Sequence, residues 1–135
     1  MSLAKTLYDN HYNEDDDYFF GPGDYQPIIE HFGDVLIQVD DADYQGDTRV
    51  LLKGFRGYGI LIFGWGSCSG CDALQACKSY DEIDTLIQDL DNDIVWFSSL
   101  ESCKNWVKNR DWELQYSYHC DETKEFIDKV LNYNL

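Results

Sequence analysis

Two closely spaced cysteines lie between a strand-like and a helix-like segment, a position that favours reactive thiols. Cys68 and Cys71 are separated by a serine and a glycine within the segment YGILIFGWGSCSGCDALQAC, residues 58–77. An unbroken apolar run, residues 60–63, precedes them, and a helix-like stretch ending at Cys77 follows. A helix N-terminus lowers the pKa of a nearby thiol and so favours the nucleophilic thiolate. Closely spaced thiolates are also zinc ligands. The spacing therefore indicates redox or metal chemistry.

Residues 60–77 resemble the redox segment of thioredoxin-like proteins, in which a C-x-x-C motif lies between a strand and a helix. Phe63 and Trp65, just ahead of the cysteines, add to the similarity. The resemblance implies reversible disulfide formation between Cys68 and Cys71. It is local, because that family carries a cis-proline after the motif, whereas Pro22 and Pro27 both precede it here.

A zinc site is the second interpretation of the same cysteines. Structural zinc requires four ligands, usually from two pairs of Cys or His residues. The side chains that can complete the set are His119 and Cys120, with Cys77 or Cys103 as substitutes. Neighbouring residues of an extended segment point in opposite directions, which makes His119 and Cys120 a poor pair. The third interpretation is structural: glycines permit a tight turn, and small thiols fill gaps beneath it.

The cysteine count and the apolar segments indicate the cellular environment. Five cysteines are an odd number, and the first residues lack the apolar core of an export signal. The longest apolar run is far shorter than the roughly 20 residues of a membrane-spanning helix. We therefore expect a cytoplasmic protein with reduced thiols, no membrane association and no cofactor, zinc being the alternative.

The net charge is the most unusual property of the chain. Its 10 basic and 26 acidic residues give a formal charge of -16. Such a charge repels nucleic acids and anionic membranes and attracts basic proteins. We expect a basic protein partner, such as one that itself binds nucleic acid, and no direct contact of this chain with nucleic acid.

Carboxylates concentrate on a predicted helix that begins after Ser79. No Lys or Arg occurs from Ser79 to Asp93. The acidic residues predicted to contact a partner there are Asp81, Glu82, Asp84, Asp89 and Asp91. At a rise of ~1.5 Å per residue they average one charge per 3 to 4 Å, roughly the phosphate spacing of one DNA strand, ~3.4 Å. This spacing predicts a DNA-mimicking surface.

A second acidic segment lies in a predicted arm, residues 1–27, that has no countable helix or strand period. Asp15, Asp16 and Asp17 form its most acidic stretch and are predicted to contact the same partner. Several aromatic residues accompany them, so the arm is expected to order against its own domain or against a partner. Residues 28–135 form the predicted single domain.

Three strand-like runs open that domain. Val35, Ile37 and Val39 are predicted to share one side of the first strand. In the second, Arg49 and Lys53 share a side with Leu51, which we expect to meet solvent. The third includes residues 60–63, whose continuous apolar character is typical of a central strand covered on both faces.

Helices and strands alternate over the rest of the chain. Capping boxes at Ser79/Glu82 and Ser98/Glu101 predict two helix starts. Residues 94–97 read as a buried strand, residues 112–118 as a half-exposed strand, and a helix is expected from about Asp121. The predicted order is β-β-β-α-β-α-β-α, an α+β domain with a mainly antiparallel sheet of about five strands and helices packed on it.

The central segment, together with DIVWF and DWELQYSYH later in the chain, is similar to a group of small acidic proteins of phage and bacterial genomes. The resemblance covers about residues 35–131. It implies an accessory factor, such as an inhibitor, that acts on a host protein in the host cytosol, and it supplies no catalytic residues. No other motif predicts catalysis, so we expect a non-enzymatic protein.

Overall fold

The computed structural model describes residues 3–12, 25–42, 46–66, 73–112 and 120–134. The helices are α1 (Leu3–Tyr12), α2 (Gln26–Phe32), α3 (Ala73–Ala76), α4 (Tyr80–Asp93), α5 (Leu100–Asn109) and α6 (Cys120–Leu131). The strands are β1 (Asp34–Asp40), β2 (Gly46–Gly54), β3 (Gly57–Trp65) and β4 (Val95–Phe97). The protein is therefore an α+β domain, as the sequence predicts.

The four strands form one antiparallel sheet in the order β1-β2-β3-β4. β2 and β3 are joined by a tight hairpin in which Gly54 pairs with Gly57. Gly57 has a φ of 111°, a left-handed conformation that favours glycine. β3 is a central strand, as its apolar run predicts. The proposed fifth strand, residues 112–118, lies almost entirely outside the described residues and stays a prediction.

Helices cover both faces of the sheet. Val50, Leu52 and Leu61 point to one face and pack with residues of α1, α2, α3 and α4. Leu51, Ile60 and Val39 point to the other face and pack with α5 and α6. The sequence predicts that the side of β2 carrying Arg49, Leu51 and Lys53 meets solvent. Lys53, near the end of the strand, is exposed. The prediction is wrong for Arg49 and Leu51, which are buried because α5 and α6 cover this side.

A β-bulge divides β1 into two parts with different orientations. The register shifts between Val35, which pairs with Leu52, and Ile37, which pairs with Leu51. Val35 therefore packs on the face covered by α4, whereas Ile37 and Val39 pack on the opposite face. The prediction that these three residues share one side is wrong, since one inserted residue reverses the alternation.

The two capping predictions have different outcomes. α4 begins as predicted: the Glu82 amide donates to Ser79 Oγ at 3.2 Å. α5 begins one residue later than predicted, because Ser99 is its N-cap and accepts from the Ser102 amide at 3.1 Å. Ser98 therefore lies outside the helix.

The N-terminal segment contributes to the core, although it has no evident sequence period. Ala4 and Leu7 of α1 are buried with the residues of α4. Tyr25 is also buried; its ring lies 4.8 Å from that of Phe63, and its hydroxyl accepts from the Leu74 amide at 3.1 Å. Among the described helices, none is long and apolar enough to cross a membrane.

Candidate functional site

α4 is held with one side against the sheet and the other side toward solvent. Ile83, Ile87 and Leu90 recur at helical spacing and are buried in the core. Their burial fixes the rotation of the helix, because turning α4 would expose them. The acidic residues between them are therefore forced outward.

Five carboxylates form the outer surface of this helix, which we call the carboxylate face: Asp81, Glu82, Asp84, Asp89 and Asp91. The first four are exposed and the last is half-buried. A separation of seven residues is close to two helical turns, or about 10 Å along the axis. Asp84 and Asp91 therefore share one flank of α4, and Glu82 and Asp89 share the other.

The carboxylate face has no salt-bridge partner among the described residues. Within the described part of the chain none of its five carboxylates forms an ion pair. Asp84 Oδ2 accepts a hydrogen bond from Gln88 Nε2 at 3.2 Å, and Glu82 Oε2 accepts one from the Lys78 amide. Both contacts leave the negative charges in place. The surface thus retains its field toward solvent.

Other predicted site residues lie outside the described residues. These are Asp15, Asp16 and Asp17 of the arm, and Cys68, Cys71 and His119 of the proposed redox or zinc site. Their roles stay predictions. For the cysteines, intact mass after reduction or air oxidation, together with metal analysis, distinguishes a disulfide, a zinc site and free thiols.

The cysteines that the structure describes lie in different surroundings. Cys77 and Cys103 are buried, and Cys120 is half-buried at the start of α6, with its Sγ 4.0 Å from Asp121 Oδ1. Burial raises the pKa of the Cys103 thiol to about 11, an effect that neighbouring Lys104 partly offsets. Cys103 is therefore a core residue. No group of three potential metal ligands occurs among the described residues.

A groove runs beside the flank of α4 that carries Asp84 and Asp91. Its volume is about 310 Å³. The α4 wall also contains Ile87 and Gln88, and the remaining lining residues are His31, Phe32, Gly54, Phe55, Arg56 and Trp96. The groove thus joins α4 to the β2–β3 hairpin, the end of α2 and β4.

Trp96 is positioned in this groove by glycines of the neighbouring strands. It pairs with Gly59 across the β3–β4 ladder. A Cβ atom added to Gly59 would lie 2.9 Å from its indole ring, and one added to Gly54 would lie 3.2 Å from it. Its Nε1 is buried without a hydrogen-bond acceptor among the described residues. A buried donor of this kind costs roughly 1–3 kcal/mol, so stability alone does not account for this indole.

The hairpin tip at the groove carries an unusually exposed aromatic residue. Phe55 is 98% exposed, and the Arg56 guanidinium lies 5.7 Å from its ring centroid and 6.0 Å from that of Trp96. The sequence signal for this feature is an aromatic and a basic residue between two glycines, because a tight turn needs neither.

A buried ion pair was also missed. Arg49 Nη1 lies 2.7 Å from Asp41 Oδ1, and both side chains are almost fully buried. The other oxygen of Asp41 accepts from the Asp47 amide at 2.7 Å. This pair closes the loop between β1 and β2 and lies apart from the carboxylate face.

Comparisons with protein families, with curated proteins and with solved structures each give no match to this chain.

Proposed function

We propose that this chain is a small, non-enzymatic protein-interaction domain that presents its carboxylate face to a basic partner protein. The observation that carries the proposal is the set of five carboxylates on α4 without an ion pair in the described structure. Exposed like charges repel one another and weaken a fold. A rigid helix that keeps them together is therefore better suited to recognising positive charge than to stabilising the domain.

The partner that best fits this surface is a nucleic-acid-binding protein. Such proteins contact phosphates through Lys and Arg residues in basic grooves. A helix bearing closely spaced carboxylates matches the potential of such a groove and competes with the nucleic acid for it. The chain would then act as an inhibitor that mimics DNA and would not itself bind nucleic acid. The acidic stretch Asp15–Asp17 would add to the same electrostatic attraction.

The test is capture of partner proteins on the immobilised chain at 50 mM and 500 mM NaCl. We expect salt-sensitive capture of basic proteins, because exposed charges are screened at high ionic strength. The reversal variant Asp81→Lys/Glu82→Lys/Asp84→Lys should abolish capture while circular dichroism stays unchanged. The matched control reverses three acids outside the carboxylate face: Glu101→Lys/Asp121→Lys/Glu125→Lys.

Mimicry requires a further result. Duplex DNA added to the captured complex should release the partner, since both ligands would occupy one surface. Capture that survives 500 mM NaCl, or that the reversal variant retains, contradicts the electrostatic proposal. Capture that DNA does not reverse leaves a basic partner but excludes the mimicry.

A further inference from the structure

We infer that the groove between the β2–β3 hairpin and α4 receives an apolar side chain of the basic partner, with Lys or Arg residues on either side of it in sequence. The inference rests on the proposed function and names the partner segment that the same surface recognises. It makes the interaction specific, whereas a carboxylate face alone would attract any cation.

The apolar surface of the groove is formed by three side chains from separate elements. Phe55 at the hairpin tip is almost entirely exposed, and Trp96 and Phe32 are only partly buried. Exposed aromatic groups beside a concave surface are typical anchors of protein interfaces, where a few residues supply most of the affinity. The groove of about 310 Å³ is large enough for one aromatic or aliphatic side chain.

The charged contribution comes from the flank of α4 that faces the groove. Asp84 and Asp91 both line it and stand about 10 Å apart along the helix. An extended peptide advances ~3.3 Å per residue, so residues two before and two after a central anchor lie about 13 Å apart. Long Lys or Arg side chains at those two positions reach both carboxylates. The expected segment therefore reads basic-x-apolar-x-basic.

The opposite wall of the groove supplies hydrogen-bond donors, and none of its described residues is acidic. Arg56 lies there, with its guanidinium near the Phe55 and Trp96 rings. It forms no ion pair with Asp84 or Asp91 in the described structure, so both carboxylates are available to a cationic side chain of the partner. Its donors suit the backbone carbonyls of an entering peptide. The groove is thus polarised, with acceptors on α4 and donors on the hairpin.

The experiment uses two fluorescein-labelled peptides, KGKGWGKGK and KGKGSGKGK, titrated with the full chain and followed by fluorescence anisotropy. Burying an aromatic side chain favours binding, so we expect the tryptophan peptide to bind about tenfold more tightly or better. Phe55→Ser should remove most of this difference. Because Phe55 contacts solvent on nearly all sides, the substitution leaves the fold intact.

A second set of titrations tests the carboxylates with variants of equal net charge. Asp84→Asn and Asp91→Asn should each weaken both peptides about threefold to fivefold, as expected for a surface ion pair. Asp89→Asn is the matched control, since this carboxylate lies on the other flank of α4, and it should change affinity less than twofold. Equal effects at all three positions would overturn the groove assignment.

The remaining outcomes separate this inference from the proposed function. Equal affinity for the two basic peptides, or tighter binding of a third, acidic peptide, EGEGWGEGE, overturns the groove inference alone. The proposed function is judged independently by capture at low salt and its loss in the Asp81→Lys/Glu82→Lys/Asp84→Lys variant. Failure of that capture overturns the proposed function even where the tryptophan peptide binds the groove.

Discussion

Arg49 and Asp41 show how a single pair of side chains fixes local structure. The ion pair is 2.7 Å long and almost fully buried, and Asp41 also accepts the Asp47 amide. Gly46 permits this arrangement, because a Cβ atom there would lie 2.6 Å from the Asp41 side chain. The pair therefore anchors the β1–β2 connection beneath the sheet surface.

Removing one partner of this pair is expected to be costly. Arg49→Met leaves the Asp41 carboxylate buried without its counter-ion, so we expect a loss of about 3 to 5 kcal/mol in the free energy of unfolding. Urea denaturation measures it. The double variant Asp41→Asn/Arg49→Met should recover part of the loss, because no bare charge remains. A loss below ~1 kcal/mol for Arg49→Met would argue against a structural role.

The thiols should differ in reactivity because only one described cysteine is partly exposed. At pH 8 we expect iodoacetamide to alkylate Cys120 in the folded chain, and Cys103 only after denaturation. The pKa of Cys103 is raised to about 11 by burial, and alkylation requires the thiolate. Peptide mapping by mass spectrometry measures both sites. Rapid labelling of folded Cys103 would contradict its placement in the core.

The same pKa shift makes stability depend on alkaline pH. The folded state holds the Cys103 proton more tightly than the unfolded state, whose thiol has an ordinary pKa near 9.0. The associated stability is therefore fully present below about pH 9.0 and falls as the pH rises toward about 11.

At the scale of the elements, helix caps and glycine contacts determine where the carboxylate face and the groove lie. The Ser79 cap starts α4, and the buried Ile83, Ile87 and Leu90 fix its rotation. The two-residue turn between Gly54 and Gly57 brings Phe55 to the rim of the groove. Trp96 reaches the same groove only because Gly59 leaves room for its ring.

The start of α5 offers a paired test of element boundaries. Ser99→Ala removes the side chain that accepts from the Ser102 amide, so we expect a loss of about 1 kcal/mol in the free energy of unfolding. Ser98→Ala should change it by less than ~0.5 kcal/mol, because Ser98 is exposed and precedes the cap. Thermal or urea unfolding of both variants decides the assignment. A larger loss for Ser98→Ala than for Ser99→Ala would instead support Ser98 as the N-cap, as the capping box at Ser98 and Glu101 predicts.

At the scale of the whole molecule, the charge of -16 opposes folding through self-repulsion. Salt shortens the range of that repulsion from ~30 Å at 0.01 M to ~10 Å at 0.1 M. We therefore expect the melting temperature to rise by a few degrees between 10 and 150 mM NaCl, as measured by calorimetry. The Asp81→Asn/Glu82→Gln/Asp84→Asn variant should show a smaller rise. A melting temperature that is constant or falls would show that self-repulsion is negligible.

Much of the fold follows from local sequence patterns. The periodic apolar residues of α4 and α6 predict both helices and their buried sides, and the glycine-bounded apolar run predicts the central strand β3. The carboxylate face was also predictable: once the apolar stripe of α4 is buried, helix geometry leaves its acids outside. The roles of the acidic stretch Asp15–Asp17 and of the Cys68–Cys71 turn remain sequence predictions.

Tertiary structure decided the features that depend on what covers a surface. Arg49 reads as a solvent-facing residue until α5 and α6 cover its side of the sheet, and Val35 changes face because of one bulge. The groove is assembled from residues at positions 55, 84, 91 and 96, which are too far apart in sequence for any local pattern to bring together. The chain's own chemistry thus determined the charged helix and the apolar periods, because both arise within a few residues of one another. Only packing between distant segments determined the buried ion pair and the groove, because burial and shape belong to the assembled molecule.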